Sequence, residues 1–365
     1  MSYNEVFLKE IAGQFIPCEI IDSVKPLGEG FINDTFTVKT IGSTPDYILQ
    51  RKNKNIFPDV PAMMDNIVRV TAHLKKRVAA QGGNPEREVL TVINAKDGKP
   101  YFQDGNEEFW AVCVFISDSL TYDRADTPEL AYKGGVGIGR FQSLLSDFNE
   151  PLAEVIKGFH NIRWRFAQWD EAVKRDAAGR VSSLATEIGW IESRREEMLR
   201  FWSLVENGTI PMRVSHNDTK LSNILFDKNG NVLCVIDLDT MMSSTSLNDF
   251  GDAIRSYTNT GAEDDKDLNR VSMSMEIFRA YTEGYLSERK NSMTESELEW
   301  LAFSAKYITY EQVLRFLMDY IDGDTYYRIH YPEHNLVRTH AQFKLLQSME
   351  EQFEQMKRTV KEIVR

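Results

Sequence analysis

Apolar residues in the first third of the chain alternate over short stretches, a pattern typical of β-strands, and recur at helical spacing at the N-terminus and once more after the first strands. The helix is predicted where Ile67, Val70, Leu74 and Val78 follow two prolines. Glycine, proline and charged residues separate the strand-like stretches from one another. These strands are predicted within residues 20–39 (two strands), 46–51, 88–94, 101–103 and 108–116.

After Ser117 the pattern changes, and apolar residues recur mainly at helical spacing. The order is therefore a mixed sheet with one helix, followed by a mostly helical region. It predicts an α+β chain with a small N-terminal lobe, residues 1–117, and a larger, mainly helical C-terminal lobe, residues 118–365. The helices of the larger lobe are predicted at residues 130–145, 185–205, 272–286, 295–319 and 339–364.

The main interruption of the helical pattern carries the most informative residues of the chain. Asp218, Lys220 and Asn223 stand in the spacing H-x-D-x-K-x-x-N, and Asp237 follows 14 residues after Asn223. Short β-branched runs lie on both sides of the turn residues 227–230, a strong signal for a β-hairpin. Such a hairpin brings the residues at its two open ends together.

Phosphoryl transfer requires the residue types found in this segment. It needs a carboxylate facing the acceptor hydroxyl, oxygen ligands for Mg²⁺ and positive charge near the transferred group. Asp218 is the predicted base, Lys220 the predicted cation, and Asn223 and Asp237 the predicted metal ligands. Asp239 is either a second metal ligand or a strand-end cap. His216 is interpreted as a brace of the loop rather than a proton carrier.

The segment resembles the kinase-like phosphotransferase superfamily of aminoglycoside, choline and homoserine kinases, and more narrowly the N-acetylhexosamine 1-kinases. The resemblance covers nearly the whole chain. It implies a bilobal protein-kinase-like fold, the cofactors ATP and Mg²⁺, and phosphorylation of the anomeric hydroxyl of GlcNAc or GalNAc. Besides the HNDTK loop it rests on the stretches GEGFINDT, YILQR, NIVRVTAHL, DFGDAIR and EQVLRFLMDY, at residues 28–35, 47–51, 66–74, 249–255 and 311–320.

The nucleotide is expected in the N-terminal lobe. Gly28 and Gly30 lie between predicted strands, where glycine lets backbone N–H groups approach phosphate closely. Protein kinases place a lysine on the strand of residues 47–51 to bind the phosphates, whereas this strand ends in Gln50 and Arg51. Only one of the two can face the cleft, and we favour Arg51, with Lys52 as the alternative. The helix that follows lacks the glutamate that would pair with such a cation.

Polar residues behind the glycines provide further candidates. Asn33 is predicted to bind the cofactor and Asp34 the acceptor, although both residue types also cap turns. Two later stretches compete for the acceptor, residues 159–169 and 311–327, because both mix aromatic and hydrogen-bonding side chains. The resemblance implies a contact of Arg315 with sugar hydroxyls, and His160 is a weaker candidate.

Composition narrows the choice of function. The net charge of −12 argues against nucleic-acid binding, and three scattered cysteines suggest neither a disulfide framework nor a zinc site. No apolar run is long enough to span a membrane, so we expect a cytoplasmic protein.

The acidic charge also suits an amino alcohol or aminoglycoside acceptor, and a non-catalytic nucleotide-binding module is a further alternative. A heptad-like seam in the last predicted helix allows a dimer, but a monomer is favoured.

Overall fold

The computed structural model describes residues 3–28 and 32–365. Gly30, one of the predicted phosphate-binding residues, lies outside this described part. The strands are β1 Ile21–Pro26, β2 Asp34–Thr40, β3 Tyr47–Lys52, β4 Val92–Ile93, β5 Phe102–Gln103, β6 Phe109–Val114, β7 Ser119–Leu120, β8 Arg213–Ser215, β9 Ile224–Asp227, β10 Val232–Val235 and β11 Met242–Ser244. The α-helices are α1 Glu5–Ala12, α2 Val60–Ala80, α3 Pro85–Glu88, α4 Pro128–Leu144, α5 Ile162–Arg175, α6 Ala185–Glu192, α7 Arg195–Glu206, α8 Ser246–Tyr257, α9 Met275–Arg289, α10 Glu295–Ile321, α11 His334–Glu351 and α12 Phe353–Val364.

The chain divides into two compact units. The first unit consists of Met1–Thr121, Asp147–Lys157 and Ile224–Met242. It holds an antiparallel sheet in the order β1-β2-β3-β6-β4, with β5 also paired to β6, and a second sheet in the order β10-β9-β7. This sheet-rich region and the mainly helical remainder confirm the predicted α+β, kinase-like fold.

The core of the first unit forms because alternate residues of its strands face α1. Leu49 of β3 and Val112 of β6 are almost completely buried there, together with Trp110 and with Leu8 of α1. Strand alternation sends the neighbours of Leu49 to the opposite face of the sheet. Two polar side chains of β3 are therefore placed on the face that α1 does not cover.

The second unit consists of Tyr122–Ser146, Gly158–Asn223 and Ser243–Arg365. Its longest helix, α10, begins at a capping box in which Thr294 and Glu297 each accept a hydrogen bond from the other's backbone N–H. Helices α4 and α9 lie in close contact. A Cβ atom added to Gly284 would lie 2.0 Å from the carbonyl oxygen of Tyr132, so backbone meets backbone at this crossing.

Replacement of Gly284 by alanine should lower the free energy of unfolding by about 3 kcal/mol, the upper end of the range for overpacked cores, because no rotamer change can relieve a clash with backbone. The matched control is Gly189→Ala in α6, where an added Cβ meets no atom within 4 Å. That variant should be unchanged or more stable by up to about 1 kcal/mol. Urea unfolding of both variants checks the prediction, and equal stabilities would contradict it.

Several boundaries differ from the predicted ones. Residues 88–94 hold a short strand, Val92–Ile93, after the helical turn Pro85–Glu88, because Asn84 and Pro85 start a helix there. Residues 185–205 and 339–364 each span parts of two helices rather than one. Leu346 and Met349 of the heptad-like seam are fully buried within the second unit, which favours the packed helix over a coiled coil. The lobe boundary at residue 117 stays a prediction.

Candidate active site

The loop that precedes Asp218 is held by one buried carboxylate, that of Asp249 in α8. Its oxygens accept hydrogen bonds from the backbone N–H of His216 at 3.0 Å and of Asn217 at 2.7 Å. They also accept from the hydroxyl of Ser215 at 2.8 Å and from the side-chain amide of Gln142 at 2.7 Å. Four donors therefore converge on Asp249, and two of these bonds restrain the backbone of the loop directly.

A second aspartate of α8 holds the following residue of the loop. Asp252 accepts a hydrogen bond from the backbone N–H of Thr219 at 2.8 Å and forms an ion pair with Arg255 at 3.1 Å. Burial would raise the pKa of Asp252, but the charges of Arg255 and His160 outweigh burial and lower that pKa. Asp252 therefore forms an ion pair with Arg255 and also supports the loop.

Asp218, Lys220 and Asn223 lie together in the second unit. The Nζ atom of Lys220 is 2.8 Å from the Asp218 carboxylate, and the side-chain amide of Asn223 donates to the Asp218 carbonyl oxygen at 2.9 Å. The backbone N–H of Asp218 donates to Nδ1 of His216 at 3.3 Å. Buried His216 acts here as a brace of the loop, in agreement with its predicted role, while about a quarter of the Asp218 side chain stays exposed.

The predicted hairpin is present in the first unit. Strands β9 and β10 pair with Ile224 opposite Val235, and Gly230 adopts a left-handed φ of 74° in the turn. In the chain, Asn223 precedes β9 and Asp237 follows β10. Asp237 itself has φ 59° and ψ 57°, a left-handed conformation that is uncommon for non-glycine residues.

Lys52, rather than Arg51, occupies the polar face of β3. Its Nζ atom lies 2.8 Å from both carboxylate oxygens of Asp239, and both side chains are almost fully buried. The side-chain amide of Asn33 donates to the same carboxylate at 2.7 Å, and the Oδ1 atom of Asn33 accepts from the backbone N–H of Asn53. The hydrogen bonds described for Asp239 thus come from side chains, which disfavours its interpretation as a strand-end cap.

Arg51 and Asp34 pair with each other on the opposite face of the sheet. Asp34 lies directly across from Arg51 in the β2–β3 register, and the Nε atom of Arg51 is 2.7 Å from its carboxylate. Glu108 binds the same guanidinium at 2.8 Å. The structure therefore argues against Arg51 as the phosphate-binding cation and Asp34 as an acceptor ligand. The physical reason is the two-residue period of the strand, which puts Arg51 on the face opposite Lys52.

His160 and Arg165 converge on the buried carboxylate of Glu311 in the second unit. Nδ1 of His160 is 2.6 Å from one carboxylate oxygen, and Nε of Arg165 is 3.2 Å from the other. Nε2 of His160 lies 3.4 Å from the carbonyl oxygen of Asn217, next to the predicted base. Burial would raise the pKa of Glu311, but the charges of His160 and Arg165 outweigh burial and lower it to about 2.

Arg315 lies one turn beyond Glu311 on α10, among three aromatic rings. Its guanidinium carbon is between 5.4 and 5.8 Å from the ring centroids of Phe159, Tyr326 and Tyr327. The two tyrosines are positioned by Asp319, whose carboxylate accepts backbone N–H bonds from residues 325, 326 and 327. Arg315 and His160, predicted independently as acceptor ligands, therefore both belong to the surroundings of Glu311.

The remaining predicted groups fit phosphate and Mg²⁺ binding chemically. Gly28 has a left-handed φ of 66°, and a Cβ added there would meet no atom of the described residues within 4 Å, so glycine is favoured by the conformation of the backbone. Asn223 and Asp237 carry the amide and carboxylate oxygens that Mg²⁺ prefers. Among residues 3–28 and 32–365, no cluster of three or more His, Cys, Asp or Glu is arranged to hold a metal.

Three residues gain importance that their sequence context did not convey. Asp249 and Glu311 are buried carboxylates whose partners lie far away in the chain, and Lys52 was only an alternative to Arg51. Signals existed in the sequence, since Asp249 and Glu311 lie in two of the stretches that carry the family resemblance. For Lys52, counting the strand by twos from Leu49 puts Arg51 with the core residues and Lys52 opposite. No helix within the described residues is both long and apolar enough to cross a membrane.

The chain is similar to several known proteins in sequence or in fold. Residues 23–285 match the model of a family described as "Phosphotransferase enzyme family". A microcompartment-associated aminopropanol kinase has a similar structure at 16% identity and a TM-score of 0.65, covering 96% of this chain and 98% of that one. An aminoglycoside phosphotransferase from Alicyclobacillus acidocaldarius is similar at 13% identity and a TM-score of 0.60, with 97% and 98% covered. A choline kinase from Streptococcus pneumoniae is similar at 15% identity and a TM-score of 0.57, covering 94% of this chain and 98% of that one.

Proposed function

Since the chain belongs to the phosphotransferase enzyme family, we propose that it phosphorylates the anomeric hydroxyl of an N-acetylhexosamine such as GlcNAc or GalNAc. As a member of the family it is a kinase with an alcohol group as acceptor, and its cofactors are ATP and Mg²⁺. The sugar is the part that we propose. It rests on the resemblance of the motifs to N-acetylhexosamine 1-kinases and on the charges around Glu311.

Each of the proposed site residues has its own role in phosphoryl transfer. The acceptor oxygen attacks the γ-phosphorus, the bond from that phosphorus to the β–γ bridging oxygen breaks, and ADP leaves. Asp218 accepts the proton of the hydroxyl, and Lys220 stabilises charge on the transferred group. Mg²⁺, held by Asn223 and Asp237, would neutralise charge on the phosphates. We assign Lys52 to the phosphates in place of Arg51, because it lies beside Asp239 rather than in the Arg51–Asp34 pair.

The observation that carries the choice of acceptor is the charge of the region beside the catalytic loop. His160 links Asn217 to Glu311, and Arg165 and Arg315 lie around the same carboxylate. Two arginines and a histidine therefore surround a single acid, and a cationic acceptor such as choline or an aminoglycoside would be repelled. Arginine donors beside aromatic rings, of which Tyr326 is exposed, suit an uncharged sugar with several hydroxyls.

Other carboxylates nearby do not reverse this balance. Asp319 accepts three backbone N–H bonds and one from Asn335, and Asp252 is paired with Arg255. Groups of the protein itself therefore already bind and balance these two negative charges.

The same proposal assigns ATP to residues 1–117 and the acceptor to residues 118–365. We further propose a cytoplasmic monomer, since Leu346 and Met349 of the possible dimer seam are buried within the second unit.

The proposal is tested by ³¹P NMR of the protein with Mg·ATP and, in parallel, GlcNAc, GalNAc, choline, homoserine and an aminoglycoside. We expect an anomeric sugar phosphate signal with at least one hexosamine. ATP consumption only with a cationic acceptor would refute the sugar assignment and keep the reaction. Absence of transfer to every acceptor would favour a nucleotide-binding module.

A matched pair of variants tests the role of Arg315. Arg315→Gln should raise the KM for the sugar by about 10- to 100-fold, the effect of losing hydrogen bonds from a charged donor, and should leave the KM for ATP nearly unchanged. Arg163→Gln is the control, because Arg163 forms an exposed ion pair with Glu206 on the same unit. Equal sugar KM values for the two variants would contradict an acceptor contact of Arg315.

A further inference from the structure

The peptide group that joins Asn217 to Asp218 is held at both of its polar atoms. Its carbonyl oxygen faces Nε2 of His160 at 3.4 Å, and its N–H donates to Nδ1 of His216 at 3.3 Å. A peptide group is planar, so fixing both atoms fixes the plane from which the Asp218 side chain projects. His216 in turn has its backbone N–H bound to Asp249. His160, in contrast, is bonded to Glu311 of α10, whereas His216 is bonded to Asp249 of α8.

Both ring nitrogens of His160 face groups that only accept hydrogen bonds. The Asn217 carbonyl oxygen has no proton to donate, and Glu311 is ionised, because its pKa is lowered to about 2 by its cationic surroundings despite burial. A neutral imidazole carries one N–H and would leave one of these acceptors without its bond. Two N–H groups satisfy both. The charged groups that face His160 are Glu311 on α10 and Asp252 on α8, while Arg165 on α5 shares Glu311.

The backbone of His160 is constrained as well. Its φ of 57° is left-handed, which costs a non-glycine residue about 1–2 kcal/mol. The hydroxyl of Tyr307 donates to the His160 carbonyl oxygen at 2.6 Å and accepts from the N–H of Ile162. The residue is thus fixed from the backbone side, and Glu311 fixes the ring. Such a fully bonded, strained residue is typical of a functional region.

We propose that Glu311 is a positioning residue for phosphoryl transfer, which holds His160 as a doubly protonated imidazolium so that His160 fixes the Asn217–Asp218 peptide group and thereby aims the Asp218 carboxylate. This assigns His160 to the catalytic loop rather than to direct contact with the acceptor. It rests on the proposed role of Asp218 as base, and it is independent of which alcohol is phosphorylated. A displacement of about 1 Å at the base can cost about 100-fold in rate.

The test is the isosteric variant Glu311→Gln. We expect kcat to fall by about 10- to 100-fold at pH 8, with the KM values for ATP and acceptor within about 3-fold of wild type. The control is Glu197→Gln, which removes the carboxylate paired with Lys306 elsewhere on α10 and should leave kcat unchanged.

A spectroscopic measurement on the wild-type protein does not depend on the folding of any variant. Long-range ¹H–¹⁵N spectra at pH 7.5, with the His160 signals assigned by their absence in His160→Asn, should show protons on both ring nitrogens. A singly protonated ring would overturn the proposal. Unchanged kcat in Glu311→Gln, or an effect confined to the acceptor KM, would overturn it too. If no hexosamine is a substrate, the kinetic test uses whichever alcohol the wild type phosphorylates, and if none is, the spectra still decide the state of His160.

Discussion

Asp218→Asn should fold and bind Mg·ATP like the wild type while its kcat falls by about 10²- to 10⁴-fold, the contribution of a general base. Asparagine has the shape of aspartate, so the loop held by Asp249 and Asp252 should keep its conformation. It cannot accept the proton of the acceptor hydroxyl. The ion pair with Lys220 is also lost, but it is partly exposed and contributes little to stability.

The measurement is ADP release in a coupled assay, with ATP affinity determined by calorimetry and the melting temperature as a check of folding. Asp170→Asn is the matched control, because Asp170 is a surface aspartate paired with Arg195. It should retain wild-type kcat. Turnover of Asp218→Asn at the wild-type rate would remove Asp218 as the base and with it the mechanism proposed here.

Lys52→Met should be the most damaging change in the first unit. It leaves the Asp239 carboxylate buried with Asn33 and without its cation, and breaking a buried ion pair costs about 3–5 kcal/mol of stability. It should also raise the KM for ATP strongly, because the cation assigned to the phosphates is gone. Arg51→Met, its neighbour on the other face of β3, should leave the KM for ATP within about 2-fold of wild type, as expected for a partly exposed pair.

A double variant separates stability from function. In Lys52→Met combined with Asp239→Asn the buried charges are removed together, so the melting temperature should recover much of its loss, while ATP turnover stays low. Thermal unfolding and initial rates at varied ATP check both parts. A large rise in the KM for ATP in Arg51→Met, with a normal KM in Lys52→Met, would restore Arg51 as the phosphate-binding cation.

The catalytic segment could be predicted from the sequence because its geometry is local. The hairpin of β9 and β10 follows from the turn residues Asp227–Gly230 between two apolar runs, and Asp218, Lys220 and Asn223 lie within six residues of one another. The roles assigned to these residues await the experiments above. The predicted strand over residues 88–94 was too long, and the prediction of a single helix over residues 339–364 was wrong, since short elements and helix ends depend on caps and packing more than on periodicity.

The pairing of charges, in contrast, could not be read from the chain. Arg51 and Lys52 are adjacent in sequence, and only the register of β3 in the sheet gives one of them Asp34 and Glu108 and the other Asp239. Glu311 lies 151 residues from His160, and Asp249 is 32 residues from Asn217. Such contacts form only after distant elements pack. The low dielectric of the interior then strengthens each pairing and makes an unpaired buried charge costly in free energy.

The sequence by itself therefore predicted the α+β class and the spacing of the residues in the catalytic segment, because periodicity and short-range spacing are properties of neighbouring residues. Its resemblance to known kinases indicated the phosphotransferase family. The tertiary structure decided which cation lies beside Asp239, what holds the catalytic loop and what surrounds Glu311. The physical reason is that these features depend on which face of a strand or helix a side chain occupies and on which distant group meets it there.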